Sequence, residues 1–181
     1  MSIRAEYETH GPAEYYRRHG ASYRNPHEVQ VRSTLHAAVG AWSLDLEHVL
    51  DLACGSGEAT LALWEAGAAR VDGVDPYTAT AYQERTGQAA ETLSFEAVAA
   101  GALEGRRYSL IVCSYALHLL DESRLPQTAY QMGRVAPALL VLTPHKRPQL
   151  REAWGWRLMG EQVVERVRAR YYNSLYEINS V

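Results

Sequence analysis

Val49-Leu-Asp-Leu-Ala-Cys-Gly-Ser-Gly-Glu-Ala-Thr60 is the stretch that decides the fold. It begins as an apolar strand, turns through two glycines and opens a helix, the unit from which open α/β sheets are built. Ligands in such sheets bind beyond the carboxyl ends of the strands. Gly55 and Gly57 can adopt backbone angles closed to other residues and leave space for a ligand to approach the main chain. Asp51 lies upstream of both in a D-x-x-x-G-x-G arrangement. A carboxylate there would repel a pyrophosphate but can accept hydrogen bonds from an ammonium group. A dinucleotide fingerprint would want a third glycine at position 60, where this chain has Thr60, so an NAD enzyme is the disfavoured alternative.

Working outward, short apolar runs alternate with helix-like stretches. Five runs read as strands: Val49–Leu52, Val71–Val74, Leu93–Val98, Tyr108–Cys113 and Ala138–Leu142. Between them, Glu58–Ala66, Thr78–Ala90 and Glu122–Val135 are long enough to be crossover helices. After Pro148, the stretches from Trp154 to Val164 and from Arg166 to Ile178 read as a closing antiparallel pair. Upstream, residues 1–46 form an N-terminal segment rich in tyrosine and arginine, with helical spacing from His27 to Trp42 and a shorter helix expected over Ala13–His19. The expectation is one structural domain, in which residues 1–46 are a helical lid on a core of residues 47–181.

Composition fits this reading. With 181 residues, 47% hydrophobic and 22% charged, the chain can bury a core without disulfide or metal support. Its two cysteines, Cys54 and Cys113, sit in separate apolar segments, which excludes a zinc ribbon or disulfide scaffold. No H-x-x-x-H or comparable ligand spacing suggests a metal. The opening Met-Ser-Ile-Arg-Ala-Glu-Tyr-Glu has neither a basic head nor an apolar run, and no stretch approaches the ~20 apolar residues of a membrane span. A cytoplasmic protein without membrane partners is therefore expected. A net charge of −3 argues against nucleic acid, and the alternating Arg166, Arg168 and Arg170 read as a solvated strand face.

A second acid, Asp75, ends Val71-Asp-Gly-Val-Asp75, where a carboxylate can accept bonds from both hydroxyls of a ribose. Asp72, in the strand interior, is the weaker competitor. Taken together, Asp51-Leu-Ala-Cys-Gly-Ser-Gly57, Gly73-Val-Asp-Pro76, Tyr108–His118 and Leu139–Thr143 resemble the class I S-adenosylmethionine-dependent methyltransferases, in the family's usual order over roughly residues 47–145. The resemblance implies a Rossmann-like, seven-stranded, mostly parallel sheet with an antiparallel last strand, flanked by helices. It also implies S-adenosylmethionine as cofactor and S-adenosylhomocysteine as product. Asp51 and the backbone of Ala53, Cys54, Gly55 and Gly57 would face the methionine part, Asp75 the ribose, and Pro76 and Tyr77 the neighbourhood of adenine. Ser114 and Tyr115 would line the junction with the acceptor. The acid that many members carry after the third strand is absent from Ala97-Val-Ala-Ala100, leaving adenine to backbone groups and packing; Glu96 is an outside candidate for that acid, otherwise a strand residue on a solvated face.

On the acceptor side, His118 and His145 follow the fourth and fifth expected strands and suit proton removal, or else serve as structural histidines. Tyr15, Tyr16 and Tyr23, among Arg17, Arg18 and Arg24, could close over the cofactor, Tyr16 near the reaction and Tyr23 with Arg24 on the cofactor's carboxylate. A small-molecule acceptor is the leading expectation because a lid can roof a pocket. A protein or peptide methyltransferase and an inactive methyltransferase-like binding subunit are the alternatives. The oligomeric state is left open.

Overall fold

The computed structural model describes residues 11–177. The opening residues and Ile178, the expected end of the last strand, lie outside the described residues.

Six strands form one sheet: β1 (His48–Leu52), β2 (Arg70–Val74), β3 (Leu110–Ser114), β4 (Ala138–Thr143), β5 (Trp156–Val164) and β6 (Val167–Ser174). Their order is β2-β1-β3-β4-β6-β5. The first four are mutually parallel, β6 runs antiparallel to β4, and β5 closes the edge antiparallel to β6. The helices are α1 (Pro12–His19), α2 (Glu28–Trp42), α3 (Glu58–Glu65), α4 (Ala79–Thr86), α5 (Phe95–Ala99) and α6 (Leu125–Gly133).

Both sheet faces are covered, which is why the central strands read as unbroken apolar runs. Successive side chains point to opposite faces. Leu50, Leu52, Ile111, Cys113, Leu139 and Val141 join one core with α6 residues Leu125, Ala129 and Met132. Val49, Leu110, Val112, Leu140 and Leu142 join the other, with Val31, Leu35 and Ala38 of α2 and Ala59, Ala62 and Leu63 of α3. Leu35 is fully buried, so Leu35→Ala would cost about 2–5 kcal/mol. At the far end of α2, Trp42 stacks on Tyr171, and Gly160 makes room: a Cβ there would lie 2.7 Å from the Trp42 indole nitrogen.

Two expectations are corrected. Leu93–Val98 is not a strand. Ser94 caps α5 by accepting a hydrogen bond from the Ala97 N–H at 3.3 Å, and Glu, Ala and Val continue as helix. Among the described residues a single parallel bridge, Val74 to Glu91, is all that lies on the outer edge of β2, and the sheet there has six strands and not seven. Nor is the arginine run a solvated face. Arg166 is exposed in the β5-β6 turn, but β6 lies inside the sheet and Arg170 is only 1% exposed. Its guanidinium donates to Glu161 and to the carbonyls of Lys146 (2.8 Å) and Pro148 (3.1 Å), tying the loop after β4 onto the hairpin.

Candidate active site

Strand order reverses between β1 and β3, and the crevice at such a switch point is where doubly wound sheets bind ligands. Here it is a cleft whose empty space, counted together with the open solvent at its mouth, is about 1010 Å³.

The turn after β1 forms one wall. Ala53, Gly55 and Gly57 all have positive φ (59°, 56° and 89°), which folds the chain back on itself and turns main chain toward the cleft. Ala53 does this without glycine's freedom. Gly55 also fits beneath Tyr23, whose ring would lie 3.3 Å from a Cβ placed there. Leu52 and Cys54 line the same wall. Burial pushes the Cys54 thiol well above its ordinary value, so it stays protonated.

Asp75, at the end of β2, lines the cleft with Pro76 and Tyr77. Its Oδ1 accepts the N–H groups of Tyr77 (2.8 Å) and Thr78 (3.0 Å), and its Oδ2 accepts that of Gly55 (3.2 Å). It therefore ties the two strand-end loops together as well as facing the cleft. Beyond β3, Ser114 and Tyr115 also line it. The Ser114 hydroxyl oxygen itself is buried and has no hydrogen-bond partner.

Asp51 is placed differently from the expectation. Strand alternation puts it on the Val49 face, under α3, where it is 0% exposed and does not line the cleft. Thr60 Oγ1 donates to its Oδ2 at 2.7 Å and Oδ1 has no partner. Burial, reinforced by the charges of Glu58 and Asp75, raises its carboxyl to about 7. Thr60, which argued against a dinucleotide fingerprint, is thus the residue that holds this acid. Gly57 likewise stays out of the lining and packs against Tyr82 and Thr86, whose Cγ2 would lie 2.6 Å from a Cβ at position 57.

His118 and His145 are brought together, ring centroids 4.3 Å apart, but neither lines the cleft. Burial, and then the neighbouring His145, lower His118 to about 4, so its imidazole is neutral at physiological pH. Tyr16 and Tyr23 do line the cleft. Tyr16 packs edge-on against Tyr23 (5.1 Å) and parallel to Tyr77 (6.3 Å), a chain of rings over the cofactor turn. Gly20, in the short 3-10 turn after α1, lets this segment dock: a Cβ there would sit 2.3 Å from the Tyr77 carbonyl oxygen. The arginines expected to reach inward are engaged outside. Arg17 and Arg18 bind Glu14, whose carboxyl they hold down at about 2, and Arg24 donates to the Tyr23 carbonyl.

Sequence reading missed Glu58, Asn25, Ser94 and Phe95, all of which line the cleft, and placed Glu96, the outside candidate, on a strand where the structure has a helix. Glu96 sits in the first turn of α5 facing the cleft, and its own backbone N–H and the Ser94 hydroxyl hold it below the ordinary carboxylate range. The signal for Glu96 was available, since Ser94 followed by Phe-Glu-Ala-Val-Ala is a capped helix start.

Comparison with known proteins agrees with this geometry. Residues 49–137 match the family described as a methyltransferase domain. An uncharacterized protein of Schizosaccharomyces pombe is 34% identical, over 88% of this chain and 87% of that one. Magnesium protoporphyrin IX methyltransferase from Synechocystis, solved with S-adenosylmethionine bound, superposes with a TM-score of 0.59 at 20% identity, covering 95% of each chain. The ribosomal protein L11 methylase of Lactobacillus delbrueckii superposes at 0.61 with 15% identity, covering 85% of this chain and 81% of that one. The chain belongs to the class I S-adenosylmethionine-dependent methyltransferases. One of these structural relatives is named for a porphyrin and the other for a ribosomal protein, so the fold leaves the acceptor open. Among the described residues, no helix is long and apolar enough to cross a membrane.

Proposed function

We propose that this methyltransferase acts on a small-molecule acceptor held inside the cleft, beneath a lid formed by residues 11–26. The observation that carries the reading is the cover itself. Tyr16, Tyr23 and Tyr77 form a continuous aromatic roof over the ligand turn, and the Gly20-Tyr77 contact seats it. A roof of this kind suits a small ligand that can be enclosed, and enclosure excludes water from the reacting centre.

The cleft residues fit S-adenosylmethionine. Main chain from Ala53 to Gly55 is available to its amino-acid part, Asp75 to its ribose, and Pro76, Tyr77 and the Leu93–Phe95 segment to its adenine. When bound, the cofactor supplies an electrophilic sulfonium methyl. The protein's work is then to align the acceptor and hold the charge. Glu58, Asp75 and Glu96 line the cleft, and among the described lining residues there is no lysine, arginine or histidine. Such a wall favours a positive charge and gives an anionic acceptor no partner, so a neutral nucleophile is the best match. His118 lies outside the lining, so proton removal through it would require a water or a shift of the Leu117–Leu119 turn.

Incubating the protein with methyl-labelled S-adenosylmethionine and a desalted cell extract supplemented with its own small-molecule fraction tests the reading. Label is expected in a filterable product that separates chromatographically from S-adenosylmethionine and its breakdown products and that does not form without the protein. Label confined to protein would overturn the small-molecule assignment.

A further inference from the structure

Glu58 occupies the first turn of α3, is 5% exposed and lines the cleft. Its two oxygens are used unequally. Oε1 accepts the Asn25 N–H at 3.2 Å, Arg85 Nη1 at 3.1 Å and the Ser56 hydroxyl. Oε2 has no hydrogen-bond partner among the described residues and lies over Gly55, 3.4 Å from where its Cβ would be. The residues on Oε1 come from different parts of the fold. Ser56 belongs to the ligand turn, Arg85 to α4, and Asn25 to the link between the lid and α2. Arg85 reaches further, donating through Nη2 to Glu28 in the first turn of α2.

The charges around this group do not balance. A single guanidinium is shared between two carboxylates, Glu58 and Glu28. The excess negative charge sits on the cleft wall, beside the turn that receives the ligand. The other acids near the turn are differently committed. Asp51 is behind the wall under α3, and both oxygens of Asp75 already accept backbone N–H groups.

We propose that Glu58, rather than Asp51, receives the ammonium group of the cofactor's amino-acid tail through Oε2, and that its Oε1 contacts couple this recognition to closure of the lid. The inference rests on the S-adenosylmethionine reading of the cleft. A cation on Oε2 neutralises the carboxylate that also grips Asn25 and Arg85, so tail recognition and lid position share one side chain. A ligand without the ammonium leaves that charge unmet and gives the lid less to close on.

The test compares S-adenosylhomocysteine with its deamino analogue, which lacks only the ammonium, on the full chain, by calorimetry and by hydrogen exchange over residues 11–26. The wild-type protein is expected to bind S-adenosylhomocysteine at least about tenfold more tightly than the analogue, the scale of a hydrogen bond to a charged group. It should also protect the lid more with the former. Glu58→Gln should remove most of that preference and the extra protection, while changing affinity for the analogue by less than about threefold. Glu58→Asp, which keeps the charge on a shorter arm, should retain a measurable part of the preference. A wild-type protein that binds both ligands equally, or a Glu58→Gln protein that loses both equally, would overturn the proposal. If Glu58→Gln does not fold, an undiminished preference in Glu58→Asp together with an unchanged lid response in Arg85→Met would overturn it, and loss of either supports it. Failure of the wild-type protein to bind S-adenosylhomocysteine at all would instead remove the cofactor reading.

Discussion

Replacing Asp51 by asparagine isolates the cost of holding a carboxyl beneath the ligand turn. In the folded protein burial raises this group from 3.8 to about 7. Below 3.8 both folded and unfolded chains hold the proton, and the group leaves stability unchanged. Between 3.8 and about 7 the unfolded chain has released the proton while the folded chain keeps it, so stability falls as pH rises; above about 7 the loss is complete. A shift of about three units corresponds to at most ~4 kcal/mol at ~1.4 kcal/mol per unit. Asparagine has nearly the same shape, and its carbonyl can keep the Thr60 hydroxyl bond. Its amide must occupy the position of Oδ1, which has no partner, at a cost of about 1–3 kcal/mol. Asp51→Asn should therefore be neutral to destabilising near pH 4 and more stable than the parent by about 1–3 kcal/mol at pH 8. Urea unfolding of both proteins at half-unit pH steps from 4 to 8 measures this. A stability difference that stays constant across that range would refute the argument, because it would mean that the carboxyl does not titrate there.

Gly20→Val should strike the Tyr77 carbonyl and undock the lid, costing about 1–3 kcal/mol in S-adenosylhomocysteine affinity with little change in melting temperature, since Gly20 lies outside both core clusters. A calorimetric titration alongside a thermal melt decides it, and unchanged affinity would count against the lid. Ala53→Gly should stabilise the protein by about 0.5–1 kcal/mol, the left-handed penalty at φ 59° outweighing glycine's entropy; equal or lower stability in denaturant would show that the turn is unstrained. His118 should titrate near 4 by NMR, and His145→Ala should move it upward but short of 6.5, because burial is the larger cause. Its folded value lies below the unfolded one, so any stability it confers is complete above 6.5 and is lost as pH falls toward 4.

The sequence by itself determined the sheet order's beginnings, the ligand turn and the family, because each rests on local rules. Short apolar runs announced β1, β2, β3 and β4 within two residues of their observed ends, and Gly55 and Asp75 mark strand ends that any such sheet uses for binding. Local reading failed where a short segment could serve two states. Leu93–Val98 has strand-like composition, and Ser94's cap, once the bridge at Glu91 has spent the pairing edge of β2, makes it α5. Only the tertiary structure decided which acids meet the ligand. Asp51 and Glu58 are seven residues apart and equally acidic in the sequence, but strand alternation turns Asp51 under α3 while the first helical turn turns Glu58 into the cleft. Likewise, nothing local tells Arg170 from Arg166. Their difference is the position of β6 inside the sheet and the loop over it, contacts between residues more than twenty positions apart that no window of sequence contains.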